Sequence, residues 1–194
     1  MNTQNRTEHD LLGEVTIPVD DLRGIHTYRA MENFSLSARP VHPRLVHAYA
    51  LVKKACARAN AMGGFLPPDC AHAIETACDE VASGMHDALF TIDALQGGAG
   101  TSTNMAVNEV VANRAGQIRA EQLRAEGCDS APESSECGDD SGAAITPLGH
   151  VNLHQSTNDT YPTALKVALI TLVREAAAAA ADLQGALQKK EREF

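Results

Sequence analysis

The chain has 194 residues, 44% of them apolar, enough for a real core in one domain or in one domain plus a fragment. Sixteen Lys and Arg against 25 Asp and Glu leave a net charge of -9, which repels polyphosphates and excludes the basic footprint of a nucleic-acid binder. Five cysteines form no C-x-x-C pair and have no histidine at zinc-finger spacing, so reduced thiols are expected, with no metal and no cofactor.

The opening MNTQNRTEHD lacks the basic and apolar regions of a signal peptide, and no apolar run reaches membrane-spanning length. A soluble, cytoplasmic chain with no membrane partner is expected. From Gly13 to Arg39 prolines interrupt short apolar pieces such as EVTIPVD, which predicts loop or a short strand, with regular structure beginning later. Pro40 and Pro43 lead into RLVHAYALVKKACARAN, where Leu45, Tyr49, Val52, Cys56 and Ala59 recur every three or four residues. That spacing predicts an amphipathic helix entered through proline, closed by Gly63 and Gly64. A second helix follows LPPD with Ile74, Ala77, Val81 and Met85 on its inner face, and a third runs from about Thr103 to Ala125. Apart from that short strand every predicted regular element is helical, so the fold class is mainly α.

Between Glu126 and Pro147 lies EGCDSAPESSECGDDSGAAITP, with six acids and no Lys or Arg, which predicts a solvated acidic insert over about 127–146. It lacks the alternating oxygen ligands and closing Glu of a calcium loop. From Asn158 to Phe194 a single long helix is predicted, capped by Asn158 or Asp159, with Pro162 in its first turn. Its apolar face is Leu165, Leu169, Leu172, Ala176, Ala179, Leu183 and Leu187. At 1.5 Å per residue such a helix reaches roughly 50 Å, longer than a domain of this size is wide. Its far end is expected to protrude, and its stripe to need other helices to cover it.

Two helix starts share a composition. QGGAGTSTN places three glycines, then Thr101, Ser102, Thr103 and Asn104, before one helix; HQSTND places Ser156, Thr157 and Asn158 before another. A helix N-terminus offers unpaired N–H groups and the positive end of the dipole, and flanking hydroxyls and amides add neutral donors, a set suited to a carboxylate or phosphate. A P-loop would need Lys after its glycines, and none occurs between Lys54 and Lys166, so a small carboxylate is the better ligand. Ser, Thr and Asn also cap helices with no ligand present. Their repetition, with glycines that allow close backbone approach, favours a site.

At these residues the chain resembles a known family. GGAGTSTNMAVNEVVANRA and HVNLHQSTNDTYPTA are similar to the first two signature regions of the aspartase/fumarase superfamily, and GIHTYRAMENFSLS resembles the N-terminal motif of its aspartate ammonia-lyases. The match runs from Leu12 to about Ala164 apart from the acidic insert, and QSTND and HTYRAMENF are more like aspartase than class II fumarase. The resemblance implies an N-terminal helical lyase domain over 1–157, followed by the incomplete first helix, 158–194, of a central bundle that tetramerises, with each site built from three subunits. It implies anti elimination of ammonia from L-aspartate to give fumarate. Thr101, Ser156 and Thr157 would bind the β-carboxylate, and Asn158 with Thr101 the amino group. Ser102, Thr103 and Asn104 would support the pocket, with Arg29 nearby and His26 structural.

The family's third signature, a GSSxMPxKxNP loop with the serine base, does not occur in these residues, nor does its mid-chain TH pair. No catalytic base is therefore expected here, and the chain alone is expected to be an inactive, truncated fragment. The partners implied are a small dicarboxylate and further lyase subunits, in a homo-oligomer or as a complementing chain docked on 158–194. A class II fumarase-like fragment, a non-catalytic assembly module and a carboxylate binder without chemistry are the alternatives. Two departures touch the pocket: the acidic insert stands where the family often carries an HPND-like segment, and His154 where it usually has a small Ser.

Overall fold

A computed structural model describes residues 4–125 and 144–194. Two antiparallel strands, β1 (Asn5–Asp10) and β2 (Gly13–Pro18), precede α1 (Ile25–Asn33). Then come α2 (Pro43–Met62), α3 (Pro68–Ala82), a short 3-10 turn (Asp87–Leu89) and α4 (Thr101–Ala125). A π turn (Pro147–Val151) leads into α5 (Thr157–Glu191). Most of the acidic insert, 126–143, lies outside the described residues.

The short strand expected from EVTIPVD is β2, while α1 stands where loop was expected and β1 precedes both. The strands pair in a hairpin from Asn5 opposite Pro18 to Asp10 opposite Gly13. Val15 and Ile17 point inward on β2, but the inward residues of β1 are Arg6, Glu8 and Asp10. That face is charged because its task is to satisfy backbone. Arg6 donates to the carbonyls of Pro18, Val19, Asp21 and Arg23 at 2.7–3.1 Å. Apolar alternation cannot reveal such a strand.

α4 lies at the centre and is buried all round from Thr103 to Ala112, which marks an internal helix rather than an amphipathic surface one. Val107, Val110, Val111 and Ala115 meet Ile74, Ala77 and Val81 of α3 and Val46, Tyr49 and Ala50 of α2 in one core. Pro43 opens α2 and Gly63 caps it, while Gly64 takes φ 76°. The inner face of α2 differs from the expected one. Leu45, Tyr49 and Val52 are buried, but Cys56 is half-buried and Ala59 exposed, and Lys53, Ala57 and Asn60 take the inward positions. Met85 lies beyond the end of α3 and is 68% exposed, so it is not part of the α3 inner face.

α5 begins one residue earlier than expected and is capped by Ser156, whose hydroxyl oxygen accepts from the Asn158 N–H at 3.2 Å, not by Asn158 or Asp159. Pro162 is the helix's sixth residue, past the first turn. Its packed face is Thr160, Ala164 and Ala168; of the leucines predicted to share a face, Leu172 is half-buried and Leu165, Leu169, Leu183 and Leu187 are exposed, Leu169 by 49% and Leu187 by 63%. Small residues face α2 because the helices lie close there, and the larger ones are left for another surface. Among the described residues no helix is long and apolar enough to cross a membrane.

Candidate functional site

The loop before α4 is held from behind. The Asp93 carboxylate accepts from the Ser37 hydroxyl and from the N–H groups of Ser37, Ala38 and Leu95 at 2.5–3.0 Å. The Ser37 hydroxyl, assisted by those N–H groups against the opposing effect of burial, holds the carboxyl down at about 2. Gln96 then donates to the Asp93 carbonyl at 3.0 Å, and its own amide oxygen accepts from the Thr103 N–H at 2.9 Å and hydroxyl at 3.1 Å. Gln96 thus satisfies an orphan donor of the first turn of α4 and occupies Thr103. Helix α4 starts at Thr101, two residues earlier than expected.

Gly98 and Gly100 take φ 71° and 86°, a region costly for residues with a Cβ. A Cβ on Gly100 would lie 2.1 Å from the Tyr161 ring of α5. Backbone against ring is how the two hydroxyl-rich helix starts come together. Beside this contact an open cleft of about 500 Å3 is lined by Gln96, Gly98, Gly100, Asn158, Tyr161 and Pro162. A larger cleft of about 560 Å3, walled by Met31, Phe34, Arg39, Phe90 and Asp93, lies outside both clusters.

The two clusters are also joined directly. Asn104, buried on α4, donates from Nδ2 to the Thr157 hydroxyl oxygen at 3.0 Å. Thr157 therefore accepts from within and keeps its own proton to donate outward. Thr101, Ser156 and Asn158 are exposed, and Ser102 and Thr157 half-buried. Among the described residues the hydroxyls of Thr101 and Ser102 have no hydrogen-bond partner. The Arg29 guanidinium pairs with Asp10 at 2.7 Å and with the Gly13 carbonyl at 3.1 Å, tying α1 to the hairpin.

Several further residues complete the arrangement. Lys53 of α2, fully buried, donates to Asn152 Oδ1 and Gln155 Oε1, each at 2.9 Å. Asn152 Oδ1 also accepts from Asn104 and Asn108 at 3.2 Å. Tyr49 shares a 2.8 Å hydrogen bond with Thr160, and its ring meets Tyr161 edge-on at 6.1 Å. His154, with φ 59°, turns its ring to Asn60 at 3.0 Å and edge-on to Phe65 at 4.8 Å. Among the described residues no group of three His, Cys, Asp or Glu side chains could hold a metal ion.

The family described as Lyase matches residues 13–194. The chain belongs to this lyase family. It is 40% identical over 194 residues to an aspartate ammonia-lyase from Bacillus sp., covering 100% of this chain and 38% of that protein. It is 39% identical over 187 residues to fumarate hydratase class II 1 of Pseudomonas aeruginosa, covering 96% of this chain and 37% of that protein. A crystal structure described as fumarate lyase:delta crystallin from Brucella melitensis superposes with a TM-score of 0.83 at 42% identity, over 99% of this chain and 41% of that one. A recombinant class II fumarase from Schistosoma mansoni gives 0.70 at 32% identity, over 85% and 32%. The chain therefore spans about two fifths of the length of these relatives, with ammonia-lyases and hydratases about equally similar.

The motif glutamate of this lyase chain, Glu109, organises the N-terminal signature. Its buried carboxylate accepts from the N–H groups of Gly24, His26 and Thr27 at 2.8–3.0 Å, from the Thr27 hydroxyl at 2.5 Å, and contacts His26 Nδ1 at 2.9 Å. Glu8 takes the remaining first-turn N–H, that of Ile25, at 2.8 Å. All the opening donors of α1 thus meet carboxylates, which also suits the positive end of its dipole. His26, hydrogen-bonded to Glu109, has its pKa raised against the effect of burial.

Proposed function

We propose that this chain supplies the carboxylate-binding part of an aspartate ammonia-lyase, in which L-aspartate loses ammonia by anti elimination to give fumarate. The observation that carries this reading is the Asn104–Thr157 hydrogen bond of 3.0 Å, which joins two hydroxyl-rich helix starts beside one cleft. Removing a proton next to a carboxylate builds a doubly charged, enediolate-like group, and fixed neutral donors at helix N-termini stabilise that developing charge. Thr101, Ser156 and Thr157 hold the β-carboxylate, and Asn158 with Thr101 the amino group. Asn104 holds Thr157, while Ser102 and Thr103 shape the turn. Arg29, engaged by Asp10, acts through the fold. In this reading 1–157 is the lyase domain and α5 the opening helix of a bundle shared with other subunits in a cytoplasmic homotetramer.

The proton at Cβ must go to a base as the C–N pair leaves with ammonia, and the family's serine signature does not occur in these 194 residues. General-base assistance contributes roughly 10²- to 10⁴-fold, so purified chain incubated with L-aspartate should form no detectable fumarate. It should still bind fumarate, shifting the amide signals of Thr101, Thr157 and Asn158. Turnover by the chain that Thr101→Ala abolishes would overturn the expectation of inactivity, and fumarate shifts confined to other residues would overturn the site. A fumarase-like reading is favoured by the 39% identity to class II fumarate hydratase, and it predicts that L-malate is bound in preference to L-aspartate.

A further inference from the structure

The buried ammonium of Lys53 has no carboxylate beside it among the described residues. Around it stand Tyr49, with Nζ 5.4 Å from the ring centroid, Cys56 of the same helix and Cys78 of α3. Burial pushes all three of those groups up, Tyr49 to about 12, so they stay neutral near pH 7. From the segment before α5 it meets only the amide oxygens of Asn152 and Gln155. A lysine ammonium has three donors and no acceptor, so both amides must turn their oxygens toward it. Asn152 Oδ1, so fixed, accepts from Asn104 Nδ2, and the same Nδ2 donates to Thr157. Flipping Asn104 would set its oxygen against that of Asn152. The amide orientations therefore follow, one after another, from a single buried charge.

We propose that Lys53 is a positioning residue for the dicarboxylate cleft: through Asn152 and Asn104 its ammonium fixes the Thr157 hydroxyl as a donor toward a bound carboxylate. This rests on the carboxylate-binding reading above, while the relay itself rests only on the hydrogen bonds. Charge-assisted bonds are roughly twice as strong as neutral ones, so loss of the charge loosens the whole relay. Burial pulls Lys53 down to about 8, which brings that loss into an accessible pH range.

The test uses the isotope-labelled 194-residue chain. The Lys53 side-chain nitrogen and the side-chain amides of Asn152, Gln155 and Asn104 should titrate together near pH 8. Fumarate affinity should fall about tenfold between pH 7 and 9.5, and by a similar factor at pH 7 in Lys53→Met. Lys53→Arg should recover part of the loss. Equal fumarate binding by wild type and folded Lys53→Met, or at both pH values, overturns the proposal. Amides that ignore the Lys53 titration overturn the relay whatever fumarate does, a result that needs no variant. Common titration with no fumarate binding at any pH supports the relay and overturns the carboxylate reading instead.

Discussion

Glu109 shows how much one buried carboxylate can decide. It sits on the central helix and gathers three backbone N–H groups, a hydroxyl and a histidine from α1, and the Gly24 Cα lies so close that a Cβ there would be 2.6 Å from the carboxyl carbon. Glu109→Gln keeps the shape but turns an NH2 against donors, leaving buried N–H groups unpaired. A destabilisation of about 3 kcal/mol is expected in denaturant unfolding. The cost should depend on pH. His26 has a folded pKa raised above its ordinary 6.5, so its contribution is fully present below 6.5 and disappears as pH rises through the folded value. Because Glu109 is the largest cause of that rise, the gap between wild type and Glu109→Gln should be wider at pH 6 than at pH 8. The His26 ring is 44% exposed, so the extra gap should stay below about 1 kcal/mol. A gap that is constant, or wider at pH 8, would show that the His26 contact contributes nothing to folding.

At the scale of elements, the site exists because α4 and α5 begin against each other, and Gly100 is the hinge of that arrangement. Gly100→Ala meets two separate obstacles: φ of 86°, and overlap with Tyr161. Together these should cost about 2–4 kcal/mol. Adding Tyr161→Ala should recover the steric share and leave the backbone share, so a double-mutant cycle measured by unfolding should show strong coupling; simple additivity would mean the close approach does not exist. The motifs that carry this contact were visible in the sequence as GGAG and QSTND, and so were α2, α3, α4 and α5 from apolar spacing or proline entry. EVTIPVD signalled a short strand, but its partner β1 and α1 were not visible, because Arg6, Glu8 and Asp10 occupy the inward face and meet backbone groups and the Arg29 guanidinium rather than core. Lys53 and Asn152 were hidden for a related reason. A lysine on an amphipathic helix normally signals solvent, and only the fold shows that α2 turns this one inward onto amides 99 and 102 positions away.

For the whole molecule the telling feature is what α5 leaves uncovered. Its 35 residues extend roughly 52 Å at 1.5 Å each, yet only Thr160, Ala164 and Ala168 are buried, and every residue from Val173 onward is exposed. Leu165, Leu169, Leu172, Ala176, Ala179 and Leu183, exposed apart from the half-buried Leu172, alternate steps of four and three, the 3.5-residue repeat of a helix that lies along another helix. Each leucine left in water forgoes about 1.5–3 kcal/mol, and several such losses approach the stability of a domain. The alanine run Ala176–Ala181 supports helix by propensity, but propensity does not hide leucine. The chain should therefore associate through this face at micromolar concentration, with another copy or a longer lyase subunit. Sedimentation should show an oligomer for the full chain and a monomer of unchanged core for Leu169→Glu combined with Leu183→Glu, the variant losing helix signal as the uncovered segment frays. Monomers in both cases, with slow amide exchange beyond Val173, would mean that the helix stands without a neighbour, and the bundle-helix reading of 158–194 would lose its physical basis.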